Sequence, residues 1–219
     1  MRFERVSIPA AGPDALTAWY ADTFGVAAGD RRIEAGATTL EFAAAGDDPA
    51  AAHVAFRSRV ASEPLVAWLA DRLDLHRIDG ERARRFEFLD ADAVYASDAA
   101  GNVIEWLCDD DRGVGGGDPA AAAFDGVTEV GLPAPEPLAL VEWLTASVGL
   151  SAWGSPSESF AWVGDRTARF VVLPTGGEWY PTDRETGIEP MSVCVVDDSD
   201  ATPGTHSHPE LPYEITVVE

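Results

Sequence analysis

The residues that could carry acid–base or metal chemistry are unequally informative in this sequence. There are 38 Asp and Glu among 219 residues but only four histidines. His53 lies in the apolar segment 53–56 (HVAF), and Glu105 lies in the apolar segment 103–107 (VIEWL). A histidine or carboxylate in such a strand is either a buried, hydrogen-bonded group or part of a site. Because histidine is scarce, His53 carries more weight than any single acid.

Other reactive motifs are weaker. His206 and His208 form an H-x-H pair in a segment predicted to be a loop, which suits adventitious zinc better than catalysis. Residues 115–117 (GGG) lack the context of a phosphate-binding loop. Cys108 and Cys194 are far apart, which predicts two reduced thiols rather than a disulfide framework or a zinc cluster. The sequence contains neither a nucleophile elbow nor a CxxC pair.

The charge of the chain excludes two classes of partner. The net charge is −23, and all 15 basic residues are arginine. Nucleic acids and anionic membrane surfaces would repel such a chain. Hydrophobic residues make up 46%, which is enough to predict a folded protein. The acidic, lysine-free composition resembles that of haloarchaeal cytosolic proteins. No apolar run reaches the roughly 18 residues that a membrane span needs, and the N-terminus does not resemble a signal peptide. We therefore expect a cytoplasmic protein, and the composition predicts that it is halophilic.

The sequence repeats itself at two scales. Residues 6–10 (VSIPA) match 130–134 (VGLPA) at an offset of 124, and further matches follow at the same offset. Residues 16–22 (LTAWYAD) also resemble 65–71 (LVAWLAD), at an offset of 49. The repeating unit is therefore about fifty residues long and consists of a strand, a helix and further strands.

The elements within each unit follow from apolar periodicity. Pro13 and Asp14 predict the start of a first helix that ends at Gly25, and apolar stripes at 65–73 and 140–144 predict two more helices. Between residues 191–196 and 213–218, both predicted strands, we expect a loop, so the last unit is truncated. The other predicted strands cover residues 6–9, 38–43, 53–56, 86–89, 94–97, 103–107, 160–163 and 168–173. A single unit cannot close a core, which predicts an α+β fold of paired units.

Three segments in this order resemble the vicinal oxygen chelate (VOC) superfamily, which includes glyoxalase I, extradiol dioxygenases and bleomycin resistance proteins. They are residues 5–8 (RVSI) leading to 18–25 (AWYADTFG), then 53–56 (HVAF), then 98–105 (DAAGNVIE). The resemblance implies tandem paired βαβββ modules that form open, curved cups with helices outside. It predicts a VOC-like domain over 1–110, a linker over 111–125 and a degenerate second domain over 126–219.

The resemblance also implies a divalent metal, Fe, Mn, Ni or Zn, held in a cup. His53 matches the histidine ligand of the second module, and Glu105 matches the carboxylate ligand of the final strand. Glu41 matches a further carboxylate of glyoxalase I. Arg5 stands where the first ligand is usually His or Gln, and a guanidinium cannot coordinate a metal. We expect Arg5 to pair with Glu41 or Glu105, or to bind an anionic ligand.

Tyr95 provides a second line of resemblance. Residues 94–105 (VYASDAAGNVIE) are similar to the extradiol dioxygenase signature around an active-site tyrosine and a ligand glutamate. Ala99 replaces the usual proline, and the histidine expected near residues 86–88 is absent. Ring-cleaving chemistry would lack that acid–base residue.

The second half retains fewer of the expected ligands. Its corresponding positions are Glu129, Arg169, Met191 or Ser192, and Glu214. If a cup forms between modules of different halves, Glu129 joins His53 and Glu105 as a third ligand. The sequence leaves open whether cups form within or between the halves.

Two functions remain in view. The first is a metal-dependent enzyme of glyoxalase or dioxygenase type, with Glu41 and Tyr95 as catalytic candidates. The alternative is a metal-free, resistance-type module that binds a small molecule through Arg5. Either way we expect a small-molecule ligand and a monomer, as a pseudo-dimer, or a homodimer.

Overall fold

The computed structural model describes residues 1–109, 119–197 and 201–218. The first half contains β1 (Arg2–Ala10), α1 (Pro13–Phe24), β2 (Ala28–Gly29), β3 (Arg32–Ala35), β4 (Thr38–Ala44), β5 (His53–Ser58), α2 (Ser62–Ala70), β6 (Arg84–Phe86), β7 (Ala91–Ser97) and β8 (Val103–Asp109). The second half contains α3 (Pro119–Ala122), β9 (Val127–Ala134), α4 (Pro137–Ala146), β10 (Ala152–Trp153), β11 (Ala161–Gly164), β12 (Arg169–Pro174), β13 (Met191–Val196), β14 (Gly204–Ser207) and β15 (Tyr213–Val218).

These elements form four modules in two mixed sheets, which confirms the predicted α+β fold. The first and last modules share a seven-stranded sheet in the order β14-β15-β13-β1-β4-β3-β2. The second and third modules share an eight-stranded sheet in the order β10-β11-β12-β9-β5-β8-β7-β6. Within each module the first and last strands are parallel neighbours, and the two modules meet through antiparallel pairs, β1 with β13 and β5 with β9. Each sheet therefore combines one module from each half of the sequence.

Two local predictions need correction. A strand was expected over 86–89, but β6 ends at Phe86 and residues 87–90 form the tight turn that brings β6 against β7. Asp90 has a φ of 52°, which marks the reversal. A loop was expected between residues 196 and 213, yet β14 lies there and pairs with β15. This pairing covers the edge of β15 that would otherwise expose unpaired backbone groups.

The main core lies between the sheets and includes the helices. Phe3 of β1 meets Phe170 of β12 with ring centroids 5.2 Å apart, so side chains from both sheets contact directly. Leu16, Tyr20 and Phe24 turn one face of α1 into this core. Gly25 ends the helix, as predicted, at a φ of 72° that favours glycine.

The predicted linker, 111–125, is only partly visible. Residues 111–118, including the glycines 115–117, lie outside the described residues. The remainder holds the short helix α3 and Phe124, which is buried in the main core. The Phe124 ring lies 4.8 Å from that of Phe56 and 5.1 Å from that of Phe24, measured between centroids.

Candidate metal centre

Strand alternation positions the candidate site on the eight-stranded sheet. Its four central strands, β5, β8, β9 and β12, are buried on both faces, and successive side chains point to opposite faces. Val54, Ile104 and Phe170 face the main core. Their neighbours in sequence, His53, Glu105 and Arg169, face the other side, which we call the cup.

Three sequence-predicted ligands meet at the base of the cup. The Nε2 atom of His53 lies 3.4 Å from Glu105 Oε2 and 3.7 Å from Glu129 Oε2. One nitrogen and two carboxylate oxygens, one per residue, lie within 4.8 Å of one another. All three side chains are buried, with residue exposures of 3–5%. His53 comes from β5, Glu105 from β8 and Glu129 from β9, so the group needs modules from both halves.

Arg169 of β12 is the fourth ionisable residue beside this group. Its guanidinium donates to Glu129 and to the backbone oxygen of Arg166. The residue is 2% exposed, and the rings of Trp153 and Trp162 lie 5.0 and 5.3 Å from its Cζ atom. Such a desolvated cation requires the Glu129 carboxylate beside it.

The two carboxylates differ in their tendency to ionise. Burial, together with the charge of Glu129, raises the pKa of Glu105 to about 7, although His53, Tyr95 and Arg169 oppose the shift. Burial also acts to raise the pKa of Glu129, but Arg169 and His53 outweigh it and hold this pKa below its ordinary value. Burial acts to lower the pKa of His53, yet the two carboxylates raise it overall. Without a metal, Glu129 therefore stays ionised, whereas Glu105 titrates near pH 7 as part of the group that it forms with His53 and Glu129.

Tyr95 of β7 is also in the cup. Burial and the charge of the nearby Glu105 raise its pKa well above the ordinary value. It therefore stays a neutral phenol that can donate a hydrogen bond. Its ring meets that of Tyr180 edge-on at 5.8 Å.

Trp179, in the segment between β12 and β13, was not identified from the sequence. Its ring stacks on the His53 imidazole at 5.3 Å, and its Nε1 donates to the Ala51 oxygen at 2.8 Å. Gly131 makes room for it, because a Cβ there would lie 2.2 Å from the Trp179 ring. The one available signal was that the repeat aligns Gly131 with Ser7, which breaks the similarity at this position.

The cup encloses a cavity of about 520 Å³. His53, Glu105 and Glu129 form the ionisable bottom of the cavity. Aromatic and aliphatic side chains from both modules and from the segment after β12 make up most of the wall: Phe86, Leu89, Tyr95, Phe160, Trp162, Val171, Leu173, Trp179 and Tyr180. Arg84, Ser159 and Glu178 complete the lining.

Two other predicted site residues lie on the seven-stranded sheet. The side chains of Arg5 and Glu41 are 57% and 36% exposed, and Arg5 Nε lies 3.9 Å from Glu41 Oε1. Ser192 and Glu214, across the same sheet, are exposed as well. Arg5 and Glu41 therefore pair as one of the sequence alternatives foresaw, but they are not among the residues that line the cavity with His53.

The H-x-H pair has local partners. His206 Nε2 lies 2.8 Å from the Thr202 oxygen, and His208 Nδ1 accepts from the backbone N–H groups of Glu210 and Leu211. The His208 ring also packs on Trp143 at 4.9 Å. Both histidines therefore have structural partners in the local turn and strand.

The residues at the base of the cup fit a divalent transition metal. The donor set of one imidazole nitrogen and two carboxylate oxygens suits Mn(II), Fe(II) or Zn(II). Three protein ligands would leave further positions for substrate oxygens, as catalytic sites require. The identity of a metal does not follow from the donors alone.

No protein-family model matches this sequence, and no curated protein matches it. Solved structures do match over its whole length. A Bacillus subtilis strain 168 protein that carries a provisional dioxygenase name superposes with a TM-score of 0.60 at 14% identity, over 99% of this chain and 85% of that one. Glyoxalase I from Zea mays superposes with a TM-score of 0.55 at 10% identity, over 100% of this chain and 92% of that one.

These structures confirm the fold that the sequence resemblance implied. The paired βαβββ modules of this chain share the architecture of these two solved structures. At these identities the likeness extends to architecture and not to a reaction. Among the described residues, no helix has the length and apolar character needed to cross a membrane.

Proposed function

We propose that this protein is a metal-dependent enzyme of glyoxalase or dioxygenase type that acts on a small substrate with vicinal oxygen atoms. One observation carries the proposal: His53, Glu105 and Glu129 converge, buried, at the base of a cavity large enough for a small molecule. Both glyoxalase I and a provisionally named dioxygenase share the fold. The expected ligands are His53, Glu105 and Glu129.

A bound metal would act as a Lewis acid toward substrate oxygens. The chain's own residues would prepare the site for that chemistry. Tyr95 would donate a hydrogen bond from its neutral hydroxyl to a substrate oxygen. Of the two carboxylates that could coordinate the metal or move a proton, Glu41 and Glu129, only Glu129 lies in the cup, and Arg169 keeps it ionised. The aromatic walls would exclude water from the reacting atoms.

The test is metal binding by protein purified without a polyhistidine tag. Isothermal titration with Mn(II), Fe(II), Ni(II) and Zn(II) should show one site, and His53→Ala should weaken it at least about 100-fold, in line with loss of one ligand of three. The double variant His206→Ala/His208→Ala is the matched control for adventitious binding and should leave the affinity unchanged. No binding by wild type, or equal loss in both variants, would refute the proposal.

Arg169 favours a second candidate, a metal-free binding module. With His53 protonated, Arg169 and His53 can balance Glu105 and Glu129 without any metal. In this candidate Arg169, rather than Arg5, is therefore the arginine that provides the positive charge. This reading predicts that small ligands raise the melting temperature equally with and without a chelator. A ligand shift that disappears on chelation would exclude it.

We further propose that the protein works in the cytoplasm, as a monomer or a homodimer. Cys108 and Cys194 form no disulfide, which agrees with a reducing compartment. The acidic, lysine-free composition supports a saline interior. Size-exclusion chromatography with light scattering at low and at molar salt would test the oligomeric state.

A further inference from the structure

Exposed apolar side chains gather at the mouth of the cup. Among the described residues, four large hydrophobic side chains are notably exposed: Phe88 (62%), Tyr180 (51%), Leu138 (43%) and Phe160 (40%). Phe160 and Tyr180 line the cavity, and Phe88 stacks on Trp162, which lines it too. Three of the four thus belong to one opening. On the surface of a chain with a charge of −23, such a concentration marks a binding site.

Four aromatic rings form a rigid group on one side of this opening. We call Phe88, Trp153, Phe160 and Trp162 the rim cluster. Trp162 is its centre: Phe88 stacks on it at 5.4 Å with planes 9° apart, and Phe160 meets it edge-on at 4.9 Å. Trp153 lies 5.3 Å from Trp162. The cluster joins the β6–β7 turn of one half to β10 and β11 of the other, so packing between the halves positions it.

Further rings line other parts of the cavity. The ring of Tyr180 makes edge contacts with Tyr95 at 5.8 Å and with Phe86 at 6.4 Å. His53, Glu105 and Glu129 lie at the base, and Arg84, Ser159 and Glu178 add polar groups elsewhere in the lining. Against the aromatic rings, a hydrophilic group would lose its hydration without gaining hydrogen bonds. A flat ring would stack or pack edge-on against them.

We infer that the cup binds a planar aromatic compound, with its ring system against the rim cluster and its oxygen-bearing end toward His53 and Glu105. The orientation of the oxygen atoms rests on the proposed function; the aromatic preference rests on the rim cluster alone. The assignment narrows the substrate from any small vicinal-oxygen compound to one with an aromatic body.

Calorimetric titration with a matched pair of probes tests this inference. The probes are 2,3-dihydroxynaphthalene and decalin-2,3-diol, which share a carbon skeleton and an oxygen pattern but differ in planarity and in hydroxyl acidity. They are compared in metal-free protein, where chelation of a metal cannot favour the aromatic diol. The naphthalene diol should bind at least tenfold more tightly. Phe160→Ala should weaken it roughly 2- to 12-fold, the range expected for one aromatic contact. Leu138→Ala, an equally exposed apolar side chain on α4, should change nothing.

Several results would overturn the inference. These are equal affinity for the two diols, equal effects of Phe160→Ala and Leu138→Ala, or no binding of the naphthalene diol. A change of oligomeric state in Phe88→Ala, with diol affinity unchanged, would instead assign the opening to a protein contact. Repeating the titration with added metal separates the two proposals. Aromatic binding without any metal site would refute only the proposed enzyme, whereas a metal site without aromatic binding would refute only this inference.

Discussion

The two sheets of this protein are built alike, yet among the described residues only the eight-stranded sheet encloses a group of candidate metal ligands. In the eight-stranded sheet, the strand positions that carry His53, Glu105, Glu129 and Arg169 are buried beneath Trp179 and the aromatic walls. In the seven-stranded sheet, Arg5 and Glu41 remain half-exposed to solvent. The last module has no helix among its described residues, and no segment there corresponds to the one that carries Trp179. The two faces therefore differ in burial as well as in the residues that they carry.

The largest expected effect tests this difference in burial. Glu129→Gln removes the carboxylate that pairs with Arg169 and leaves a buried cation unpaired. We expect the free energy of unfolding to fall by about 3–5 kcal/mol. Urea denaturation of metal-free protein measures it.

Glu41→Gln is the matched control on the other sheet, since it breaks the exposed pair with Arg5. The free energy of unfolding should change by no more than about 0.5 kcal/mol. Similar losses in the two variants would show that the two faces do not differ as their burial indicates.

Much of this comparison could be predicted from the sequence. The 124-residue repeat and the apolar periodicity predict the modules, because alternation and helical stripes are local properties. His53, Glu105 and Glu129 were likewise predicted as candidate ligands, and their side chains lie together in the structure. The segregation of Glu41 and Arg5 from them was not, because the pairing of β5 with β9 joins residues that are far apart in sequence. Trp179 was missed for a related reason, since it follows no periodic pattern.

A second prediction concerns pH within the cup. Glu105 has a pKa of about 7 in the folded protein against 4.5 in an exposed chain, so the native state binds its proton more tightly. This group therefore destabilises the metal-free native state progressively as pH rises from about 4.5 to 7. Glu105→Gln removes the effect, and its stability relative to wild type should rise by about 3 kcal/mol between pH 4 and pH 8.

Urea titrations of both proteins across this pH range measure the change. Glu214→Gln, at an exposed position on the seven-stranded sheet, is the control and should show no such slope. A pH-independent difference between Glu105→Gln and wild type would contradict the raised pKa.

A third prediction uses the repeat itself. Gly131→Ser gives β9 the residue that the repeat places at Ser7 of β1, but its side chain would collide with the Trp179 ring. We expect a loss of about 1–3 kcal/mol from overpacking, with altered tryptophan fluorescence. The reverse change, Ser7→Gly on the seven-stranded sheet, should lower the free energy of unfolding by at most about 1 kcal/mol through backbone entropy. Equal losses without a fluorescence change would show that Trp179 does not depend on Gly131.

The smallest expected effect concerns Arg169 and its pairing with Glu129. Arg169 shares Glu129 with any bound metal and adds a positive charge beside it, so it should oppose the binding of a divalent cation. Arg169→Gln should therefore raise the affinity for Mn(II) or Zn(II) at least about tenfold, equivalent to about 1.4 kcal/mol. Arg5→Gln, on the seven-stranded sheet, should leave the metal affinity unchanged. Circular dichroism would verify folding, and Arg169→His provides a second variant in which a neutral ligand replaces the cation. If both Arg169 variants bind metal no better than wild type, Arg169 supports the site rather than competing with a metal for Glu129.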